Sequence, residues 1–248
     1  MILALLADIH SNLGAFEACL AHARGHGAER IAFLGDLVGY AAEASEVVER
    51  AAALSREGAF AVKGNHDEAI DPQGRFGYMN ESAMAAIEWT RRTLSPEHKA
   101  FLAALPLCVR EERFCLVHAS ADRPERFDYV DGPTAAWRSA EAADRPYTFC
   151  GHVHDQVLYF ERGPERMGTL RPTPGSAIPV GAHRRWVAIV GSVGQPRDGN
   201  PDAAYALFDT AREEITFYRV TYDHLAAEAR IRAADLPEVL ALRIRRGV

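Results

Sequence analysis

The sequence predicts a mixed α/β (α+β) fold, rich in helices in its first half and in strands in its second. Three observations carry that expectation. Within the first 65 residues, apolar runs of strand length alternate with helix-length amphipathic stretches in the order β-α-β-α-β, the pattern of a sheet with helical crossovers. From residue 107 onward, short apolar or alternating runs dominate instead. Finally, the chain has 248 residues, 48% hydrophobic and 25% charged, an ordinary globular composition and a length at which layered folds are common as one domain. No repeat, low-complexity tract or linker divides it, so 1–248 is expected to form one domain.

The first run, Ile2 to Ala7, reads as a buried strand. It has no basic segment before it and meets Asp8 after six apolar residues, too short for a signal peptide or a membrane span. Leu13 to Ala23 shows helical spacing, with Asn12 placed to cap it and Gly25 and Gly27 to end it. A strand at 31–34, a helix at 44–55 and a strand at 59–62 follow. Residues 68–106 break the rhythm. Asp71-Pro72-Gln73-Gly74-Arg75 is loop-like, and helices are expected near 80–94 and at 96–104, the latter with Ser95 as N-cap and Pro96 in its first turn. This helical insertion is read as structural cover, with a cap beside the site as the alternative.

Strands are then expected at 107–111, 113–118, 147–150, 155–162, 165–171, 186–190, 203–209 and 213–220, with a helix near 133–142. The alternation in Glu214-Ile215-Thr216-Phe217-Tyr218-Arg219-Val220 is that of a half-buried antiparallel strand, paired with 203–209 as a hairpin. A helix from Tyr222 and another after Asp235, read as its N-cap with Glu238 three residues on, close the chain. Arg243, Arg245 and Arg246 lie in that last turn, where the helix dipole favours cations, and are read as structural.

The net charge of -6 argues against a general binder of nucleic acid or acidic membrane. It leaves room for a small phosphorylated substrate, because bound cations reverse the local sign at a site. Cys19, Cys108, Cys115 and Cys150 are scattered, without a Cys-x-x-Cys pair, in apolar contexts. Reduced thiols in a cytoplasmic protein are the expectation. Oligomeric state is left open by the sequence.

The chemistry gathers where strands end. Ala59 to Val62 runs into Lys63-Gly64-Asn65-His66-Asp67, and four more runs do likewise: into Asp8-Ile9-His10, Gly35-Asp36, His118 and Gly151-His152-Val153-His154. In α/β proteins sites form at that end of the strands. Of ten histidines, His10, His66, His118, His152 and His154 follow apolar runs in this way, whereas the other five lie in helical or loop contexts. Asp8, His10, Asp36, Asn65, His118, His152 and His154 together offer carboxylate, imidazole and amide oxygen, a set suited to Mn, Fe, Zn or related divalent ions. Seven donors exceed the need of one ion that keeps a water, and fit two ions if one carboxylate bridges.

Asp8-x-His10, Gly35-Asp36, Gly64-Asn65-His66-Asp67, His118 and Gly151-His152-x-His154, in that order, resemble the five blocks of the calcineurin-like metallophosphoesterase superfamily. Gly35-Asp36-Leu37-Val38-Gly39-Tyr40 and Gly191-Ser192-Val193-Gly194-Gln195-Pro196-Arg197-Asp198 are similar to its small prokaryotic predicted phosphodiesterases. The resemblance implies a central β-sandwich flanked by helices, in four layers. It also implies one divalent ion on Asp8, His10, Asp36 and His154 and a second on Asp36, Asn65, His118 and His152, with Asp36 bridging. Mn²⁺ or an Fe/Mn pair is the expected metal, with Zn, Ni or Mg as alternatives. A water between the ions would deprotonate near neutral pH and attack phosphorus in line, and His66, outside the ligand set, would protonate the leaving group.

One departure narrows the substrate. Protein-phosphatase members read Gly-Asp-x-Val-Asp-Arg-Gly at the second block, whereas this chain reads Gly35-Asp36-Leu37-Val38-Gly39-Tyr40-Ala41. The acid that would support the catalytic histidine is missing, which disfavours a phosphoprotein phosphatase or a dinucleoside tetraphosphatase. A phosphodiesterase on a small or nucleotide-type substrate is the leading expectation, a broad phosphomonoesterase the alternative, and a non-catalytic scaffold a third. Arg197, in a Gly-rich turn, is a candidate for holding phosphate, the competing reading being a salt bridge to Asp198 or another acid. Tyr40 is a candidate pocket wall, and Asp67 is read as structural or supporting the ligands.

Overall fold

A computed structural model describes residues 1–74 and 79–248; the expected loop character of Arg75 lies outside the described residues. The first half runs β1 (Ile2–Leu6), α1 (Leu13–Gly25), β2 (Arg30–Leu34), α2 (Ala44–Arg56), β3 (Phe60–Val62), α3 (Asn65–Glu68), α4 (Glu81–Thr93) and α5 (Pro96–Ala104). The second half begins with β4 (Cys108–Arg110) and β5 (Phe114–Val117), then a 3₁₀ turn at Pro124–Arg126, α6 (Pro133–Ala143) and β6 (Tyr147–Cys150). It continues through β7 (Gln156–Gly163), β8 (Arg166–Leu170), β9 (Ala177–Pro179), β10 (Trp186–Val190), β11 (Ala203–Asp209), β12 (Glu214–Val220), α7 (His224–Ala233) and α8 (Glu238–Arg246).

The strands form two six-stranded sheets, ordered β3-β2-β1-β11-β12-β9 and β4-β5-β6-β10-β7-β8. Strands β1, β2 and β3 are parallel neighbours, as are β5, β6 and β10, and the other pairings are antiparallel. The period-two geometry of a strand decides which face meets what. Leu3 and Leu5 of β1, Ala32 and Leu34 of β2, and Phe114, Leu116, Tyr147 and Phe149 of the opposite sheet form the core between the sheets. The alternate residues Ala4, Leu6 and Phe33 face α1, α2 and the C-terminal helices. Cys115, Val117, Cys150 and Ile189 face α6 on the far side. Helices, sheet, sheet and helix therefore stack in four layers, as the resemblance implies.

Local signals place most elements. Asn12 accepts a hydrogen bond from the Ala15 amide and Ser95 one from the His98 amide, each capping its helix as expected. Strands β11 and β12 pair from Ala203↔Val220 to Asp209↔Glu214, and Asp209 accepts the Ala211 and Arg212 amides inside the turn.

Besides the short helix α3, which the sequence reading did not expect, three details differ from it. Asp223 caps α7 through the Ala226 amide, so this helix starts after Tyr222 rather than on it. Asp235 does not cap α8: it sits at φ 54, and the cap position falls to Pro237, without a side-chain bond. The tight turn after α7 requires that left-handed residue, and Glu238 instead pairs with Arg232. Strand β9 is unexpected; it adds to the edge of the first sheet opposite Glu214–Thr216.

Candidate metal centre and pocket

The strand ends converge as the topology requires. The loops after β1 and β2 are zipped together, with the Asp8 amide donating to Gly35 O (3.1 Å), His10 to Asp36 O (3.0 Å) and Ser11 to Leu37 O (2.9 Å). The Gly194 amide donates to Asp8 O and the Gly151 amide to His118 O, each at 2.9 Å, tying in the loops after β10 and β6. The bends are sharp. Asp8, His10, Ser11, Asp36, Tyr40, His152 and His154 all take positive φ, between 49° and 70°. Such backbone costs about 1–3 kcal/mol per residue and gathers where a site over-determines it.

All seven expected ligands meet in one buried cage. Asp8 and His154 approach to 3.4 Å (Oδ1 to Nε2), His10 Nε2 lies 3.2 Å from His154 Nε2, and His118 Nε2 lies 3.0 Å from His152 Nδ1 and 3.1 Å from Asn65 Oδ1. Asp36 stands between the two groups, its Oδ2 being 3.7 Å from His10 Nε2 and 3.4 Å from His118 Nε2. Three sets of side chains, Asp8–His10–His154, His10–Asp36–His66 and Asp36–His118–His152, could each hold a metal ion. His66, expected outside the ligand set, thus shares the same cage.

The hydrogen bonds fix which nitrogens are free. A carbonyl can only accept, so His10 Nδ1–H donates to Val38 O (3.1 Å), His118 Nδ1–H to Leu34 O (2.8 Å) and His154 Nδ1–H to Gln195 O (2.5 Å). At His10 and His154, which burial keeps neutral, Nε2 is left as a bare lone pair aimed into the cage, the tautomer that a metal-binding histidine needs. Burial pushes His10 and His154 well below the ordinary imidazole range and His152 down to about 3. Neutral His10 and His154 therefore face each other lone pair to lone pair, an arrangement that a cation between them relieves. The chemistry of the donor set fits divalent ions. Burial also raises Asp8 to about 7, with Asp36 adding to that rise against the pull of His118. Desolvation opposes charge on His118, but the charge and hydrogen bond of Asp36, with Asp8 and the Leu34 carbonyl, together raise it to about 9.

His66 is buried, and burial lowers it to about 4. Its Nδ1 has no hydrogen-bond partner among the described residues and is walled in by Gly39, at φ 96, where a Cβ would lie 2.3 Å away. The imidazole fills the space that the absent acid would take, leaving Nε2 as the nitrogen available to the pocket. Tyr40 packs on the ring at 4.6 Å and His10 at 4.8 Å, centroid to centroid. Asp67 faces away, accepting the amides of Leu37 (2.9 Å) and Gly64 (3.0 Å), so it splices the β2 and β3 loops.

A family model described as the calcineurin-like phosphoesterase superfamily domain matches residues 1–213. The chain belongs to that superfamily. Over 249 residues it is 32% identical to an uncharacterized protein of Methanocaldococcus jannaschii, covering 98% of this chain and 97% of that one. It superposes on the crystal structure of a metallophosphoesterase from Sphaerobacter thermophilus with a TM-score of 0.89 at 34% identity, over 100% and 99% of the two chains. A hypothetical protein from Pyrococcus horikoshii shares the fold at a TM-score of 0.78 and 22% identity, over 100% and 98% of the two chains. The chain is therefore a phosphoric ester hydrolase of a metal-dependent family.

The pocket above this phosphoesterase's cage, about 270 Å³, is lined by Asp36, Asn65, His66, His152 and His154 together with both expected substrate residues, Tyr40 and Arg197. Arg197 donates to the Tyr40 hydroxyl (3.3 Å) and to Gln195 Oε1 (3.1 Å), while Asp198 pairs with Arg219 instead. Its guanidinium has no carboxylate partner among the described residues.

Several lining residues were not named from the sequence. Met79, Asn80 and Ala83 line the pocket, so the 68–106 insertion borders the site, in keeping with the alternative reading of it as a cap. Tyr129 stacks on His152 at 4.0 Å while 52% exposed; no sequence signal links that loop to this histidine. Arg243 also lines the pocket, although a dipole argument made it structural. Gln195, which orients His154, lies in a Gly-rich block whose arginine drew attention first.

Two outcomes follow from this geometry. Stripping divalent ions and restoring Mn²⁺ to about a hundred times its Kd should stabilise the fold by about 2.7 kcal/mol, raising Tm by roughly 5–10 °C. Scanning calorimetry would read the gain, which Asp36→Asn should largely abolish. Gly39→Ala should displace His66 and lower kcat about ten- to a hundredfold while bound metal, measured by atomic emission, stays at the wild-type ratio.

Proposed function

We propose that this phosphoesterase is a dinuclear, metal-dependent phosphodiesterase of small, nucleotide-type substrates. The observation that carries the reading is Asp36 between two buried donor groups, on the floor of a pocket lined by the His66 imidazole and the Arg197 guanidinium. Asp8, His10, Asp36 and His154 would hold one divalent ion, and Asp36, Asn65, His118 and His152 the other. Mn²⁺ or an Fe/Mn pair suits this mixture of carboxylate, imidazole and amide donors. Such ions supply Lewis acidity to phosphoryl oxygens and acidify a water as nucleophile.

The chain's own residues do the rest. Arg197, braced by Tyr40 and Gln195, orients a non-bridging phosphoryl oxygen. His66 gives a proton from Nε2 to the leaving oxygen. Burial, with the charges of His118 and Arg197, keeps this ring neutral, so an anionic phosphoester beside it supplies the field that recharges it before transfer. The pocket has room for a small ester, and the exposed face of Tyr129 at its rim offers a platform for a planar group such as a base. An acidic chain with one short cationic wall suits a small phosphoester better than a long polyanion. Its free thiols fit a cytoplasmic setting, and among the described residues no helix is long and apolar enough to cross a membrane.

With Mn²⁺-loaded protein, bis-p-nitrophenyl phosphate should be cleaved with a kcat/KM about tenfold or more above that for p-nitrophenyl phosphate. The reverse preference would sink the diesterase reading in favour of a monoesterase. Leaving-group dependence tests His66 separately. His66→Ala should cost about 10²–10⁴-fold in kcat with an alkyl leaving group, which needs a proton, and about tenfold or less with p-nitrophenolate, which does not. An equal loss on both would assign His66 to positioning.

A further inference from the structure

Arg243 belongs to α8, beyond the 1–213 span matched by the family model, yet it lines the same pocket as Asp36, His66 and Arg197. The fold takes trouble to keep it there. The Gly199 amide donates to Gly247 O at 2.8 Å, and Gly247, at φ 67, lies so close to Asn200 that a Cβ would meet its backbone at 2.5 Å. The helix end is thereby fastened to the loop that carries Gln195 and Arg197. Inside α8, Leu240, Ala241 and Ile244 are buried in the helical layer, which turns Arg243 towards the pocket.

Neither guanidinium is spent on a protein carboxylate. Among the described residues Arg243 makes no ion pair, and Asp198, the acid nearest Arg197 in sequence, is held by Arg219. Arg197 donates to the Tyr40 hydroxyl at 3.3 Å, and Arg243 and Tyr40 line the same pocket. Two unpaired guanidiniums on one wall of a small cavity exceed what a single phosphodiester, carrying one negative charge, requires once the cage holds cations.

We propose that Arg243, beside the Arg197 that orients the scissile phosphoryl group, forms a subsite for a second anionic oxygen group on the substrate, a phosphate or a carboxylate lying beyond the scissile phosphoester. The inference rests on the phosphodiesterase reading for which bond is cut, but the subsite itself is a binding property. Arginine suits it because its planar fork pairs bidentately with either anion.

The test is equilibrium binding to Mn²⁺-loaded protein by titration calorimetry, with two matched pairs of probes. Thymidine 3′,5′-bisphosphate against thymidine 5′-monophosphate asks for a phosphate as the second group, and 3-phosphoglycerate against glycerol 3-phosphate asks for a carboxylate. In at least one pair the doubly anionic member should bind about tenfold more tightly or better, and the pair that shows it names the group. Arg243→Met should bring that ratio to within about threefold while leaving the singly anionic member unchanged, and Arg243→Lys should keep part of it.

Ratios near one in both pairs for the wild-type protein would overturn the proposal, as would an Arg243→Met loss shared equally by all four ligands. Turnover of the 5′-p-nitrophenyl esters of thymidine 5′-phosphate, with and without a 3′-phosphate, separates the two readings. Failure to cleave either ester, with the binding ratio and its Arg243 dependence intact, would remove the phosphodiesterase reading and leave the anion subsite standing.

Discussion

Buried donors that face one another with no proton between them are the constraint on which the rest of this molecule turns. His10 and His154 commit their Nδ1 protons to backbone carbonyls and meet at 3.2 Å through bare Nε2 atoms. Asp8 and Asp36 bring carboxylates to the same dry space, both essentially inaccessible to water. Isolated buried charges of one kind cost several kcal/mol each, and that cost is repaid only by an opposite charge in good geometry. His118, raised to about 9 by Asp36 and Asp8 against desolvation, is held charged, while burial lowers His10, His152 and His154. One imidazolium cannot neutralise both halves of the cage. Two divalent ions can.

Holding such groups together requires a frame stiffer than the loops that carry them, and the buried hydrogen bonds provide it. The loops leaving β1 and β2 share five backbone bonds, Ser192 donates to Asp8 O at 2.8 Å, and Asp67 joins the β2 loop to the start of α3. The parallel strands beneath, packed on both faces, fix the spacing at which the loops emerge. The positive φ values at Asp8, His10, Asp36, His152 and His154 can persist because strand, bond network and core over-determine them. Stability is concentrated in the layers so that strain can sit in the loops.

That division explains what could be read from the chain and what could not. Apolar runs ending in Asp, Asn or His mark both the strand and its functional end. The parallel units β1, β2, β3, β5 and β6 and the seven donor side chains that meet in the cage were therefore legible in the sequence. Strand β9 was not, since three residues ending in a proline carry no period and pair only because Ile215 offers an edge. Helix α3 was hidden within a ligand motif of four residues, Asn65–Glu68. Asp235 had the composition of a cap but sits in a turn whose left-handed backbone removes its side chain from the helix end. Tyr129 and Arg243 failed for a deeper reason: both reach the pocket by tertiary packing, and local periodicity says nothing about which distant loop a side chain meets.

Charge placement completes the picture. The chain carries a net charge of -6, yet the wall above the donor cage presents Arg197 and Arg243. An acidic protein gains such a cationic face only by keeping its own carboxylates off it, and Arg219 does this locally by engaging Asp198. The effect is selective at short range, because at physiological salt the field of the distant acids decays over about 8 Å whereas cations in a partly enclosed pocket are screened much less. A small anion entering the pocket therefore meets attraction from the arginines and from any ions in the cage. A long polyanion would also lie across the acidic remainder. Discrimination by size and charge thus follows from where the carboxylates are not, as much as from where the arginines are.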